Sequence, residues 1–337
     1  MKIGILTSGG DCPGINATIR GVCKAAIHHF GFEVIGIHCG FKGLIDEDIE
    51  MITDKSLSGL LNLGGTILGT SREKPFKKGS SAEDDAEAAD IIKNNISAMG
   101  IDCLVCIGGN GTMKVAAKLQ EYGINIVGVP KTIDNDIWGT EVSFGFDSAV
   151  SIASDAIDRL HSTASSHNRV MVIEVMGHKA GWIALAAGMA GGGDVILLPE
   201  FGYDINNVAD AIRRRAEKGK PHSIVVVAEG IKTENKMKAG AYIAQKIEEL
   251  TGIETRETAL GYIQRGGAPT SYDRNLSTVM GGYAIELVSQ HRYGEMVALI
   301  DSHIQSIPLN QVAGKLKTVT EDVPLVIQGR RMGICFG

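Results

Sequence analysis

Short runs of Val, Ile and Leu without polar alternation recur along this chain: Ile3–Leu6, Val34–His38, Cys103–Ile107, Ile124–Val129, Val170–Val175, Val195–Leu198, Ile224–Ala228 and Met296–Ile300. A strand with one wet face alternates apolar and polar residues. Runs without that alternation are dry on both faces, as in a parallel sheet covered by helices. Between the runs, Ile15, Ile19, Val22, Cys23, Ala26 and Ile27 recur at helical spacing. So do Val150, Ala153, Ile157 and Leu160, and later Ile243, Ile247 and Leu250. Such alternation builds βαβ units with right-handed crossovers, so the predicted class is α/β. A length of 337 residues suits two domains or one large unit. A boundary is expected near residues 138–142, after the polar Asp134–Asp136 stretch and before a long helix.

The formal net charge of −6 argues against nucleic acid as a partner, because such binders gain affinity by neutralising phosphates. A small anion can still be held by a local arginine cluster. Of the six cysteines, Cys103 and Cys106 form a C-x-x-C inside an apolar run, with no second pair or His cluster to complete a metal site. They read as small core hydrophobes. With few cysteines, no leader pattern and no apolar stretch of membrane-spanning length, the chain is expected in the cytoplasm and off the membrane.

In open α/β sheets ligands gather beyond the carboxyl ends of strands, and four segments there carry chemistry. Thr7-Ser-Gly-Gly-Asp-Cys-Pro-Gly14 joins the first strand to the first helix. Its glycines let backbone amides approach an anion, and the helix start adds partial positive charge; alone it is equally a tight turn. It lacks the Gly-Lys-Ser/Thr of a Walker loop and the G-x-G-x-x-G of a dinucleotide fold. Gly108-Gly-Asn-Gly-Thr112 repeats the arrangement, and two such loops at neighbouring strand ends would make one polyphosphate cradle.

Pro130-Lys-Thr-Ile-Asp-Asn-Asp136 follows another strand. If that segment is extended, Thr132, Asp134 and Asp136 share one side. Paired carboxylates beside a polyphosphate suit general-base work and Mg²⁺ organisation, although Asp-Asn-Asp is also ordinary turn chemistry. Finally, Arg256-Glu-Thr-Ala-Leu-Gly-Tyr-Ile-Gln-Arg-Gly-Gly267 sets Arg265 before a Gly-Gly pair. With Arg72, Arg169 and Arg256 it supplies guanidiniums suited to bidentate phosphate contacts, though a single surface arginine is more often merely solvated.

Gly9-Gly-Asp-Cys-Pro-Gly-Ile-Asn16, Gly108–Thr112, Pro130–Asp136, Met176-Gly-His178 with Gly181-Trp182, and Leu260-Gly-Tyr-Ile-Gln-Arg-Gly-Gly267 fall in the order of the phosphofructokinase family. The chain resembles that family over nearly its whole length, and most closely its mixed-substrate branch, whose members use ATP or pyrophosphate. The resemblance implies two Rossmann-like, doubly wound, mostly parallel sheets with helices on both faces. It implies a donor-binding domain of residues 1–140 plus about 264–310, and a sugar-phosphate domain of 141–263 plus about 311–337. The implied reaction phosphorylates the 1-hydroxyl of fructose 6-phosphate, with Mg²⁺, and the implied assembly is a homodimer or homotetramer.

By the same resemblance Asp134 is the base, Asp136 and Thr132 help hold it and the metal, and Lys131 joins the catalytic set. Gly10, Arg72, Glu73, Gly109, Asn110, Gly111 and Thr112 contact the donor, with Arg72 facing the transferring group. The sugar phosphate falls to Thr132, Ile133, Asp134, Met176, Gly177, His178, Glu229 and Tyr262. Arg256 and Arg265 grip its 6-phosphate, and Arg169 matches an arginine usually lent by a neighbouring subunit. Asn110 stands where the family usually has a metal-linked acid, so metal affinity is expected to fall.

Three residues bear on the donor. Gly111 leaves open the space that an acid fills in pyrophosphate users, which favours ATP. Lys131 resembles the pyrophosphate type, and the β-branch of Val115 is expected to crowd the nucleoside. Two rivals stand apart. A nicotinamide oxidoreductase needs an acid about 20 residues after a G-x-G-x-x-G, and this chain has neither. A non-catalytic sugar-phosphate sensor is conceivable from Asn110 but need not keep both Asp134 and Asp136.

Overall fold

The computed structural model describes residues 1–77, 79–234 and 237–337. Its strands are β1 (Lys2–Ser8), β2 (Glu33–Ile37), β3 (Ile49–Ile52), β4 (Cys103–Gly108), β5 (Ile126–Pro130), β6 (Val170–Val175), β7 (Val195–Leu197), β8 (Ser223–Ala228), β9 (Thr255–Ala259), β10 (Glu295–Ile300) and β11 (His303–Pro308). The helices are α1 (Ile15–Lys24), α2 (Phe41–Asp46), α3 (Ala82–Met99), α4 (Asn110–Glu121), α5 (Phe146–His167), α6 (Trp182–Ala190), α7 (Ile205–Glu217), α8 (Ala239–Thr251), α9 (Ser271–Ser289), α10 (Leu309–Val312) and α11 (Pro324–Arg331).

These elements divide into two compact units. The first comprises Met1–Thr132, Ile137–Asp147 and Arg265–Leu316; the second comprises Ile133–Asp136, Ser148–Gln264 and Lys317–Gly337.

The first unit's sheet runs β11-β10-β5-β4-β1-β2-β3. Its central pairs are parallel, and β3 and β11 close the two edges antiparallel. The chain leaves β1 toward β2 on one side and returns to β4 on the other. The carboxyl ends of β1 and β4 therefore flank a topological switch point, where loops part and leave a crevice. β4 is buried throughout, as its unbroken apolar run requires. Its Cys103 and Cys106 are core residues, and burial pushes the Cys106 thiol up to about 12. Helices α1 and α9 cross at glycines. A Cβ on Gly21 would come within 2.6 Å of the Thr278 carbonyl oxygen, and one on Gly281 within 2.6 Å of that of Thr18, so the close approach excludes any side chain.

The second unit's sheet is parallel, in the order β7-β8-β6-β9. Its core joins Val170, Val172, Val225 and Val227 to Val208 and Ile212 of α7 and Ile243 and Ile247 of α8. Here β6 leads one way to β7 while its neighbour β8 leads the other way to β9, so a second switch point lies between β6 and β8. Two mostly parallel α/β sheets match the fold class the sequence implied. Among the described residues no helix is long and apolar enough to cross a membrane.

Candidate active site

In the first unit, both glycine loops leave the sheet at its switch point. Gly14 takes the N-cap position of α1 and Gly109 that of α4, so at neither helix start can a capping side chain occupy the free amides. The loop after β1 is strapped down, because the Gly9 amide donates to the Ser71 carbonyl (3.0 Å) and the Thr70 hydroxyl donates to the Gly9 carbonyl (2.7 Å). The strap holds the exposed Arg72 and Glu73 within two residues of that anchor.

Cations converge on the same loop. The Lys131 ammonium donates to the Gly10 carbonyl, and the Lys131 amide donates to the Gly108 carbonyl at 2.9 Å. The guanidinium of Arg265 lies against Gly10, where an added Cβ would meet its Nη1 at 3.1 Å. Thr112, buried at the first turn of α4, turns its hydroxyl toward the Ser8 carbonyl at 3.4 Å. The unit thus gathers Gly10, Gly109, Thr112, Lys131 and Arg265 into a constellation with the chemistry to hold an anion.

Beside Gly111 lies a cavity of about 520 Å³ lined by Lys74, Phe76, Lys114, Val115 and Lys118 among others. A Cβ on Gly111 would meet the Lys74 ammonium at 2.9 Å, so the glycine keeps that entry open. Val115 also lines it, but it is only 4% exposed and belongs to the hydrophobic core. Lys74 and Phe76 carry no motif, and the sequence reading missed them.

The second unit builds around its own switch point. Met176, Gly177 and His178 follow β6 directly. One oxygen of Glu229 accepts from the amides of Gly177 (3.2 Å) and His178 (2.8 Å), which fixes the loop. The Met176 amide donates to Oε1 of the fully buried Gln264, tying this loop to the exposed turn after β9 that bears Tyr262.

The turn Ile133–Asp136 belongs to this unit. It is not extended: Asn135 is left-handed at φ 51°, so strand alternation does not put Thr132, Asp134 and Asp136 on one side. Asn135 and Asp136 are buried, whereas Asp134 is half-buried.

Arg169 and Arg256 sit at the opposite end of this sheet. Arg169 immediately precedes β6, and Arg256 pairs with Met171 near its start. Met176 lies about 16 Å farther along the strand at the usual rise per residue. Both guanidiniums converge on Glu254: Arg169 Nε donates to its carboxylate at 2.6 Å, and Arg256 Nη2 donates to its other oxygen. The hydrogen bond from Arg169 holds the Glu254 carboxyl below the ordinary glutamate value. Glu254 has no sequence signature, and only the pairing of β6 with β9 discloses it. Arg256 therefore keeps company with Arg169, and not with Met176–His178.

A phosphofructokinase family model matches residues 2–288. The chain is 72% identical over 337 residues to ATP-dependent 6-phosphofructokinase 3 of Bacteroides thetaiotaomicron, covering 100% of both. It is 54% identical to ATP-dependent 6-phosphofructokinase of Spirochaeta thermophila, covering 99% of this chain and 97% of that one. Among solved structures, phosphofructokinase from Pichia pastoris in the T-state superposes with TM-score 0.84 and 33% identity over 92% of this chain. The present chain spans 35% of the length of that larger one.

Proposed function

The chain belongs to the phosphofructokinase family, and from the two sites just described we propose that it moves the γ-phosphoryl group of ATP onto the 1-hydroxyl of fructose 6-phosphate. The cavity beside Gly111 carries the donor assignment. A triphosphate seated on the start of α4 has about 520 Å³ into which its nucleoside can run. The relatives at 72% and 54% identity are named ATP-dependent, in agreement. Pyrophosphate is the second reading, favoured by Lys131, whose ammonium at the Gly10 carbonyl adds charge suited to a compact polyanion.

Phosphoryl transfer asks the protein mainly for positioning and charge neutralisation. The amides at Gly10, Gly109 and Gly111 hold the donor, with the Thr112 side chain and Glu73 completing the set. Arg72 and Lys131 meet the charge that develops on the transferring group, and Arg265, expected from the sequence to grip the 6-phosphate, joins them because its guanidinium lies against Gly10. Asp134 accepts the proton of the 1-hydroxyl as the attacking oxygen forms its bond to the γ-phosphorus and the bond from that phosphorus to the β-phosphate oxygen breaks, releasing ADP; Asp136 and Thr132 support it. Ile133, Met176, Gly177, His178, Glu229 and Tyr262 hold the sugar.

Mg²⁺ fits this chemistry. It takes few protein oxygens and otherwise uses phosphate and water. Among the described residues no three His, Cys, Asp or Glu gather to hold an ion by themselves. The neutral amide oxygen of Asn110, at the start of α4, would be its protein ligand. When bound, the ion neutralises charge on the donor phosphates.

Arg169 and Arg256, at the far end of β6 from Met176, serve the 6-phosphate of a neighbouring copy, so the working enzyme is a homo-oligomer of the cytoplasm, a dimer or tetramer. Coupled assays on fructose 6-phosphate, with Mg·ATP and Mg·pyrophosphate side by side, test the activity. Faster turnover with ATP is expected. Turnover with pyrophosphate alone would overturn the donor assignment, and none with either would overturn the kinase reading. Sedimentation of the active preparation as a monomer would contradict the shared site.

A further inference from the structure

The C-terminal segment that rejoins the second unit at Lys317 threads between the loop after β6 and the turn that carries Asp134. The Trp182 indole N–H donates to the Lys317 carbonyl at 3.0 Å, and the Lys317 ammonium lies 5.4 Å over the Trp182 ring. The same residue reaches the turn twice. Its amide donates to the Asp136 carbonyl at 2.9 Å, and its ammonium donates to the side-chain oxygen of Asn135 at 2.8 Å. Two residues on, the Val319 amide shares Oε1 of Glu200 with the Gly181 amide, each at 2.9 Å. The turn between the two carboxylates, the loop bearing Met176–His178 and the C-terminal segment are thereby joined within one unit.

Asn135 explains why such a brace is needed. It is a non-glycine residue in the left-handed region at φ 51°, a conformation that surrounding contacts must hold in place. Lys317 supplies contacts on both sides of it, one to the side chain of Asn135 and one to the backbone of Asp136. A cation over an indole face adds attraction that keeps the stem of Lys317 in place.

We infer that Lys317 is a positioning residue for phosphoryl transfer: through Asn135 it holds the Asp134–Asp136 turn in the place set by the sugar loop at Trp182. The inference rests on the reading of Asp134 as the base. It requires that loss of the brace be felt in the chemical step, since a displacement of about 1 Å at a reacting group can cost about 100-fold in rate.

Lys317→Met removes the ammonium and keeps the backbone bond to Asp136. The expected result is a kcat lower by about 10- to 100-fold, with KM for both substrates and the melting temperature little changed. Lys317→Arg, which keeps a cationic donor, should recover much of the loss. Asn135→Gly deletes the acceptor of the Lys317 ammonium and tolerates the left-handed backbone, so it should reproduce the defect even if the lysine variant folds poorly. Combined with Lys317→Met it should add nothing further, because both act on one contact. A kcat within about twofold of the parent in both single variants overturns the inference, as does full additivity. Asp134→Asn, assayed in parallel, separates the two claims. If that variant stays active the base is misassigned, whereas an inactive Asp134→Asn beside a normal Lys317→Met sinks the brace alone.

Discussion

Gly111 keeps its place for want of a side chain. A Cβ there would meet only the far end of Lys74, at 2.9 Å from Nζ and 3.3 Å from Cε, so a larger residue would fold while lying across the cavity entry. Gly111→Asp should therefore lower kcat/KM for ATP by at least about tenfold, the equivalent of about 1.4 kcal/mol, and leave fructose 6-phosphate binding intact. Steady-state kinetics with both donors checks this, and unchanged ATP kinetics would show that the steric argument fails. Gly111 was readable because the absence of a side chain is visible in a sequence. Lys74, Phe76, Glu254 and Lys317 were not, since each matters through a neighbour distant in the chain. The turn at Asp134 was half legible: its residue types signalled chemistry, but the left-handed Asn135 replaced the extended geometry assumed for it.

Among the elements, the dry central strands were visible because burial on both faces leaves unbroken apolar runs. The strands β3, β9 and β11 escaped for the converse reason. β9 reads Thr-Arg-Glu-Thr-Ala and is largely exposed along one edge of its sheet, so no hydrophobic period marks it. It nevertheless sets Arg256 and Glu254 beside Arg169. The hydrogen bond from Arg169 keeps the Glu254 carboxyl below its ordinary value, so its contribution to stability is full at neutral pH and is lost as pH falls through the lowered value. Glu254→Gln should melt earlier than the parent at pH 7, and the difference should shrink once pH drops below about 4.3, the ordinary glutamate value. Thermal unfolding of both proteins across that range provides the comparison; a gap that persists unchanged into acid would assign the effect to packing instead of charge.

At the scale of the whole molecule, two mostly parallel sheets each reverse their strand order once, and each reversal gathers one set of candidate residues. Donor candidates collect after β1 and β4, and sugar candidates after β6, β8 and β9. The alternation of strand and helix made the class plain, and ordered motifs gave the family. Strand order was not legible, since it is decided by which apolar faces find each other. The account turns on a carboxylate at position 134 that takes a proton from the acceptor hydroxyl. The most direct measurement is turnover and fructose 6-phosphate binding in Asp134→Asn, whose amide is nearly isosteric but cannot accept that proton. Loss of a general base predicts a kcat lower by about 10²- to 10⁴-fold, with sugar-phosphate affinity close to that of the parent; a variant that turns over at the parental rate would contradict it.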